Sequence, residues 1–166
     1  MLYAHRRYLI LEQGIGAVIV NLFTNATAAW LLFRSLEVVP LWGPRSIAGD
    51  TVATTFLLPF ITCLIVTWLA HRAVDGGRFP PPEWRRASHP ALGRLPRSTP
   101  LRSLVFGFVC MITVAPPSIW VLQILGLVQL NFWSFVLFKA LFAGALAAPV
   151  TPIIGLCALG DSGETR

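Results

Sequence analysis

Four apolar runs dominate this chain, each long enough to cross a lipid bilayer. They cover roughly residues 8–33, 47–70, 104–128 and 132–159. About 20 consecutive apolar residues suffice to cross the hydrocarbon core as a helix. A lipid-spanning backbone must satisfy its own hydrogen bonds, so only helices and closed barrels are admissible. A barrel would read as short alternating segments, and these runs do not alternate. The expectation is an all-α fold, a polytopic transmembrane bundle of four helices arranged as two tandem helical hairpins. Composition agrees: 55% of residues are hydrophobic and 12% charged, with mean hydropathy +0.70, against about 25% charged in soluble domains. The whole of 1–166 reads as one transmembrane domain.

Arginine placement sets the expected orientation, because cytoplasmic loops carry the excess of basic residues. Arg6 and Arg7 precede the first span. Arg72, Arg78, Arg85, Arg86, Arg94, Arg97 and Arg102 fall between spans two and three. The first loop has only Arg34 and Arg45, offset by Glu37 and Asp50, and the third loop, Gly126 to Asn131, is uncharged. Both termini are therefore expected in the cytoplasm. The formal net charge of +6 is mostly this topology signal, so a nucleic-acid partner is not inferred. The segment Ala26-Thr27-Ala28 mimics a signal-peptidase site, but the apolar run continues through Phe33, and Glu12, Gln13, Asn21 and Asn25 interrupt it. The first span is expected to remain in place.

The basic loop, 73–102, is rich in Pro, Gly and Arg. Pro80, Pro81 and Pro82 favour polyproline II, and no apolar period supports a folded domain. It is expected to lie on anionic lipid headgroups with Trp84 as an anchor. Cys63, Cys110 and Cys157 all sit in apolar runs, which argues against a disulfide framework.

The two halves repeat weakly. A shift of 90 residues places Trp30 on Trp120, Arg7 on Arg97 and Pro59 on Pro149. Each half is then a basic start, a span, a Trp-bearing outer loop and a second span with a central proline. Such parallel repeats recur in transporters, and also arise by duplication in proteins that transport nothing.

Polar residues inside the spans are the functional candidates, since intramembrane polar groups are costly and face protein or water. Gly14, Ala17, Asn21, Asn25 and Ala28 share one face of the first helix by i, i+3/i+4 spacing. The asparagines can bond across a helix interface or line a path. The second span opens with Asp50 and continues Thr51, Thr54, Thr55, Pro59 and Thr62. Prolines at 59, 116, 117, 149 and 152 suggest kinks or local unwinding, whose freed carbonyls could line an ion path. Glu12 lies about one turn inside the first span. It invites comparison with small four-helix multidrug exporters, but a salt bridge to Arg72 or to Arg6 and Arg7 is the simpler role.

Lys139 is the single lysine of the chain. It sits ~9 Å below the outer end of the fourth span. The repeat aligns it with Gly49, next to Asp50. An Asp50–Lys139 ion pair between spans two and four is expected, with Asn25 nearby; snorkelling to the interface and a substrate or proton role are the alternatives. No HExxH, GxSxG, GxxxxGKS or GxGxxG pattern occurs, and the histidines at 5, 71 and 89 do not suit a bis-histidine haem. No enzyme activity, metal or cofactor is expected.

Two stretches carry a resemblance. Residues 25–67, NATAAWLLFRSLEVVPLWGPRSIAGDTVATTFLLPFITCLIVT, and the fourth-span segment FVLFKALFAGALAAPVTPIIGL, Lys139 included, resemble a group of small four-helix bacterial inner-membrane proteins with no assigned activity. The resemblance implies a bacterial inner-membrane location and nothing chemical. The functional expectation is a small permease-like protein, working as a homo-oligomer in the bilayer, with a polar path lined by Asn21, Asn25, Asp50, Thr54 and Lys139. The alternative is a non-transporting accessory protein that binds partners through its basic loop and small-residue helix faces.

Overall fold

The computed structural model describes residues 14–76, 95–96 and 98–162. Glu12, Arg6, Arg7, Trp84 and the polyproline run lie outside them. Four helices cross the described part: α1, Gly16–Phe33; α2, Ile47–Asp75; α3, Thr99–Ile124; and α4, Phe132–Ser162. All four are long and apolar enough to span a membrane. The chain is an all-α four-helix membrane protein by length and composition. Each helix buries its backbone polar groups internally, so apolar side chains can cover nearly its whole surface.

The helix ends follow local chemistry. Ser46 precedes α2, and its Oγ accepts the Gly49 backbone N–H at 3.1 Å. Asn131 precedes α4, and its Oδ1 accepts the Ser134 N–H at 2.8 Å. Both bonds satisfy a donor that a helix start leaves unmatched. The third helix opens at Thr99, behind Ser98 and with Pro100 in its first turn, where a missing N–H costs nothing. It therefore begins earlier than hydropathy alone suggests, and Arg102 moves from the expected loop into the helix. It ends at Ile124 because Gly126 adopts φ +69°, a left-handed turn that stops the helix.

A feature the hydropathy reading did not contain joins the α1–α2 and α3–α4 loops at one end of the bundle, termed here the outer end, the opposite end being the inner. Val38–Pro40 (β1) and Gln129–Asn131 (β2) form a two-stranded antiparallel ribbon, with Val39 opposite Leu130. The Leu41 N–H donates to Val128 O at 2.8 Å and the Phe132 N–H to Glu37 O at 2.9 Å, extending the pairing.

The main helix interfaces are α1 with α4, α4 with α2, and α2 with α3. The helices thus form a row, α1–α4–α2–α3. In the first hairpin, α1 and α2 are sequence neighbours, yet α1 packs mainly on α4. This order has the symmetry of the repeat. Exchanging the halves turns α1·α4 into α3·α2 and leaves α2·α4 and the ribbon unchanged.

Packing runs in three levels. At the outer end Ala29, Phe33, Val39, Leu41, Ile47, Leu122 and Phe135 cluster beneath the ribbon. The middle level joins Leu58, Cys63, Val66 and Cys110 to Ala143, Leu146, Ala147, Val150 and Ile154. Ala70, Ala158 and Leu159 close the inner end. Small residues set the helix distances. Gly144 of α4 receives Leu22 and Val18 of α1, and a methyl group there would lie 3.1 Å from Leu22 Cγ. Gly107 of α3 abuts Phe56 of α2, where a methyl group would lie 2.9 Å from the ring. Arg34 stacks over Trp30 with 5.4 Å between guanidinium and ring, and Arg72 over Trp68 with 5.3 Å. These pairs mark the outer end of α1 and the inner end of α2, at depths suited to interfacial aromatics.

Every helix continues through its prolines, at 59 in α2, 116 and 117 in α3, and 149 and 152 in α4. The expected local unwinding does not occur. Pro116, Pro117 and Pro149 face outward, and only Pro59 lies in the buried interior.

Candidate functional site

The Lys139 ammonium pairs with the Asp50 carboxylate. The two side chains are 5% and 10% exposed respectively. Asp50 stands in the first turn of α2, where the helix dipole favours an anion. Its backbone N–H donates to Ser46 O at 3.0 Å, closing that turn. Lys139 lies about two turns into α4, one turn beyond Phe135. Thr54, also buried, stands one turn after Asp50 on the same face of α2. The pair therefore joins α2 to α4, the interface at the centre of the row, just inside the outer apolar cluster.

A cleft of about 240 Å³ reaches the pair from the outer side, lined by Phe33, Arg45, Ser46, Gly49 and Asp50. Arg45 adopts φ +54°, and its Nη1 donates to Ser35 Oγ at 3.2 Å. A second, mostly apolar cleft, about 300 Å³, lies between α1, α2 and α4 toward the inner side. Asn21, Thr62 and Thr151 are its polar members. The two clefts share no residue. Between their levels stand Leu58, Ala143, Leu146 and Ala147, all buried apolar residues.

The remaining candidates are turned inward on their own helices. Asn21 Nδ2 donates to Ala17 O at 2.9 Å and Asn25 Nδ2 to Asn21 O at 3.0 Å. The asparagines cap carbonyls one turn back, and Asn25 does not join the ion pair as expected. Carbonyls four residues back are always in reach of a short polar side chain, which is why this local choice wins. Thr51 donates to Ile47 O at 2.8 Å, and Thr55 to Thr51 O at 2.9 Å. Of the expected path, Asp50, Thr54 and Lys139 lie together, Asn21 belongs to a different cleft and Asn25 bonds its own helix; the separate candidate Glu12 is outside the described residues.

Arg102 was counted with the loop arginines, yet it is fully buried. Its Nη2 donates to Thr67 Oγ1 at 3.1 Å, tying α3 to α2 near their inner ends. The Ser98–Pro100 helix start was the available signal for this placement. Thr151, 1% exposed, was also missed as a candidate.

The chain matches no family model, and neither a curated relative nor a solved structure similar to it was found.

Proposed function

We propose that this chain is a non-conducting accessory protein of the bacterial inner membrane, with both termini in the cytoplasm, which holds partners in the bilayer. The observation that carries this reading is the buried apolar level that separates the Asp50–Lys139 pair from the inner cleft. A permeation path needs polar or water-lined continuity. Here Asp50 and Lys139 neutralise each other, and the Asn21 and Asn25 amides and the Thr51 and Thr55 hydroxyls are spent on backbone carbonyls. The location rests on the arginine distribution and on the resemblance carried by residues 25–67. Partners would meet the basic loop and the lateral faces of α1 and α3, where Val20, Phe23, Phe108 and Ile112 are exposed.

The permease-like reading has one observation in its favour, the outer cleft that ends on Asp50. Reconstitution into proteoliposomes separates the two. With proton, sodium and potassium gradients and a panel of small solutes, flux is expected at the level of protein-free vesicles. A saturable flux that Lys139→Met removes would establish the permease instead. Cysteine labelling on whole cells, with Ser35→Cys modified from outside and a cysteine after Arg166 protected, checks the orientation.

A further inference from the structure

A proline has no N–H to give the carbonyl four residues back. Pro116 and Pro117 therefore leave Ile112 O and Thr113 O without their helix donors, near the middle of α3. Both prolines, Ile112 and Thr113 are exposed on the lateral side of the bundle. The nearby hydroxyls go elsewhere: Thr113 donates to Val109 O and Ser118 to Val114 O, each at 2.7 Å. In hydrocarbon an unmatched backbone acceptor costs several kcal/mol. Acyl chains carry no donor, so lipid alone leaves this face of α3 unsatisfied.

The opposite edge of the row carries the converse. Thr24 and Thr27 of α1 are exposed and share one helix face with Val20 and Leu31, which are exposed as well. Thr51, Thr55 and Thr113 return their hydroxyls to a carbonyl of the preceding turn. No hydrogen bond occupies the Thr24 or Thr27 hydroxyl among the described residues. Depths agree too. Thr24 lies ~14 Å below the outer end of α1, and Ile112 and Thr113 ~17–18 Å below that of α3. A helix carbonyl points toward the C-terminus, here outward, which takes up most of the difference. The repeat gives the same match, since a shift of 90 residues sets Thr24 on Val114.

Copies of one chain cross the membrane in one orientation, so α1 of one copy and α3 of another run the same way and meet at equal depth. We infer that the chain assembles edge to edge, α1 of one copy on α3 of the next, with Thr24 donating to a carbonyl freed by Pro116 or Pro117. This rests on the accessory reading, in which the lateral faces hold partners, and names the partner as a second copy. Beside the prolines runs a groove of about 590 Å³ with Trp42, Val52, Met111 and Trp120 in its walls. It takes the ring of Phe23, next to Thr24 and 72% exposed. The two faces differ, so a single contact leaves one α1 and one α3 free, and the contact repeats into a ring or an array. An α3–α3 contact would leave the carbonyls unmatched.

The experiment uses the full chain in its native membrane, without the native cysteines, as two differently tagged copies expressed together. One carries Leu31→Cys and the other Val121→Cys, exposed residues that the 90-residue shift sets at one depth. Mild oxidation is expected to give a disulfide-linked species that holds both tags. Leu31→Cys with Phe108→Cys, offset by ~20 Å, is expected to give none, and each variant alone is expected to stay monomeric. Energy transfer between labelled copies in liposomes, followed on dilution with lipid, reads the affinity. Thr24→Val is expected to weaken association roughly three- to tenfold and to leave the unfolding midpoint of the dispersed chain unchanged. No mixed disulfide, an equal yield from the offset pair, cross-linking of Leu31→Cys alone, or unaltered association of Thr24→Val would each overturn the inference. A chain that fails in these ways yet shows no flux in proteoliposomes keeps the accessory reading. One that assembles as expected and shows saturable flux loses that reading and keeps the contact.

Discussion

Asp50 and Lys139 matter because both charges are largely withdrawn from water. Breaking a buried pair from one side leaves an uncompensated charge and costs about 3–5 kcal/mol. Lys139→Met and Asp50→Asn are each expected to lose stability on that scale, measured by unfolding in mixed micelles of increasing denaturing-detergent fraction. Ser46→Ala removes only the bond to the Gly49 N–H and is expected to cost about 1 kcal/mol. The pair could be anticipated because the repeat placed Lys139 opposite Gly49 at matching depth. The fate of the asparagines could not. A carbonyl four residues back competes with any partner across the interface, and spacing alone does not choose between them. Arg102 was obscured differently: arginines near span ends are ordinarily topology signals, and only the Ser98–Pro100 helix start shows that this one belongs to a helix.

At the scale of elements, hydropathy finds helices that are apolar all round but says nothing of which helix meets which. The neighbours are set by small residues, at Gly144 between α4 and α1 and at Gly107 between α3 and α2. Gly107→Ala places a methyl group against the Phe56 ring, and overpacking of this kind costs about 1–3 kcal/mol. Adjacency has its own test. In a background without the native cysteines, Leu22→Cys with Gly144→Cys is expected to form a disulfide under mild oxidation. A pair joining the middle of α1 to the middle of α3 is expected not to within one chain, because those helices stand at opposite ends of the row. The ribbon escaped the sequence reading because three-residue strands carry too few side chains to show a period.

The whole molecule is a row of four helices, clamped at its outer end by the ribbon and across its centre by one ion pair. The halves are related as the repeat suggests, and the central contact, α2 on α4, is the one that the exchange of halves leaves in place. That contact holds the ion pair. Its residues are the same ones that would have lined a path, so the structural and the transporting accounts make opposite demands on them. If the pair is a tie, an apolar pair of similar volume can replace it, since two matched hydrophobic residues carry no desolvation cost. If it binds a solute or relays a proton, no apolar pair can. The deciding measurement is the double-mutant cycle at Asp50 and Lys139 by micelle unfolding. The account predicts that Asp50→Leu/Lys139→Met recovers most of the stability lost by either single variant, with a coupling of about 3 kcal/mol or more. Additive losses, with the double variant less stable than both singles, would contradict it.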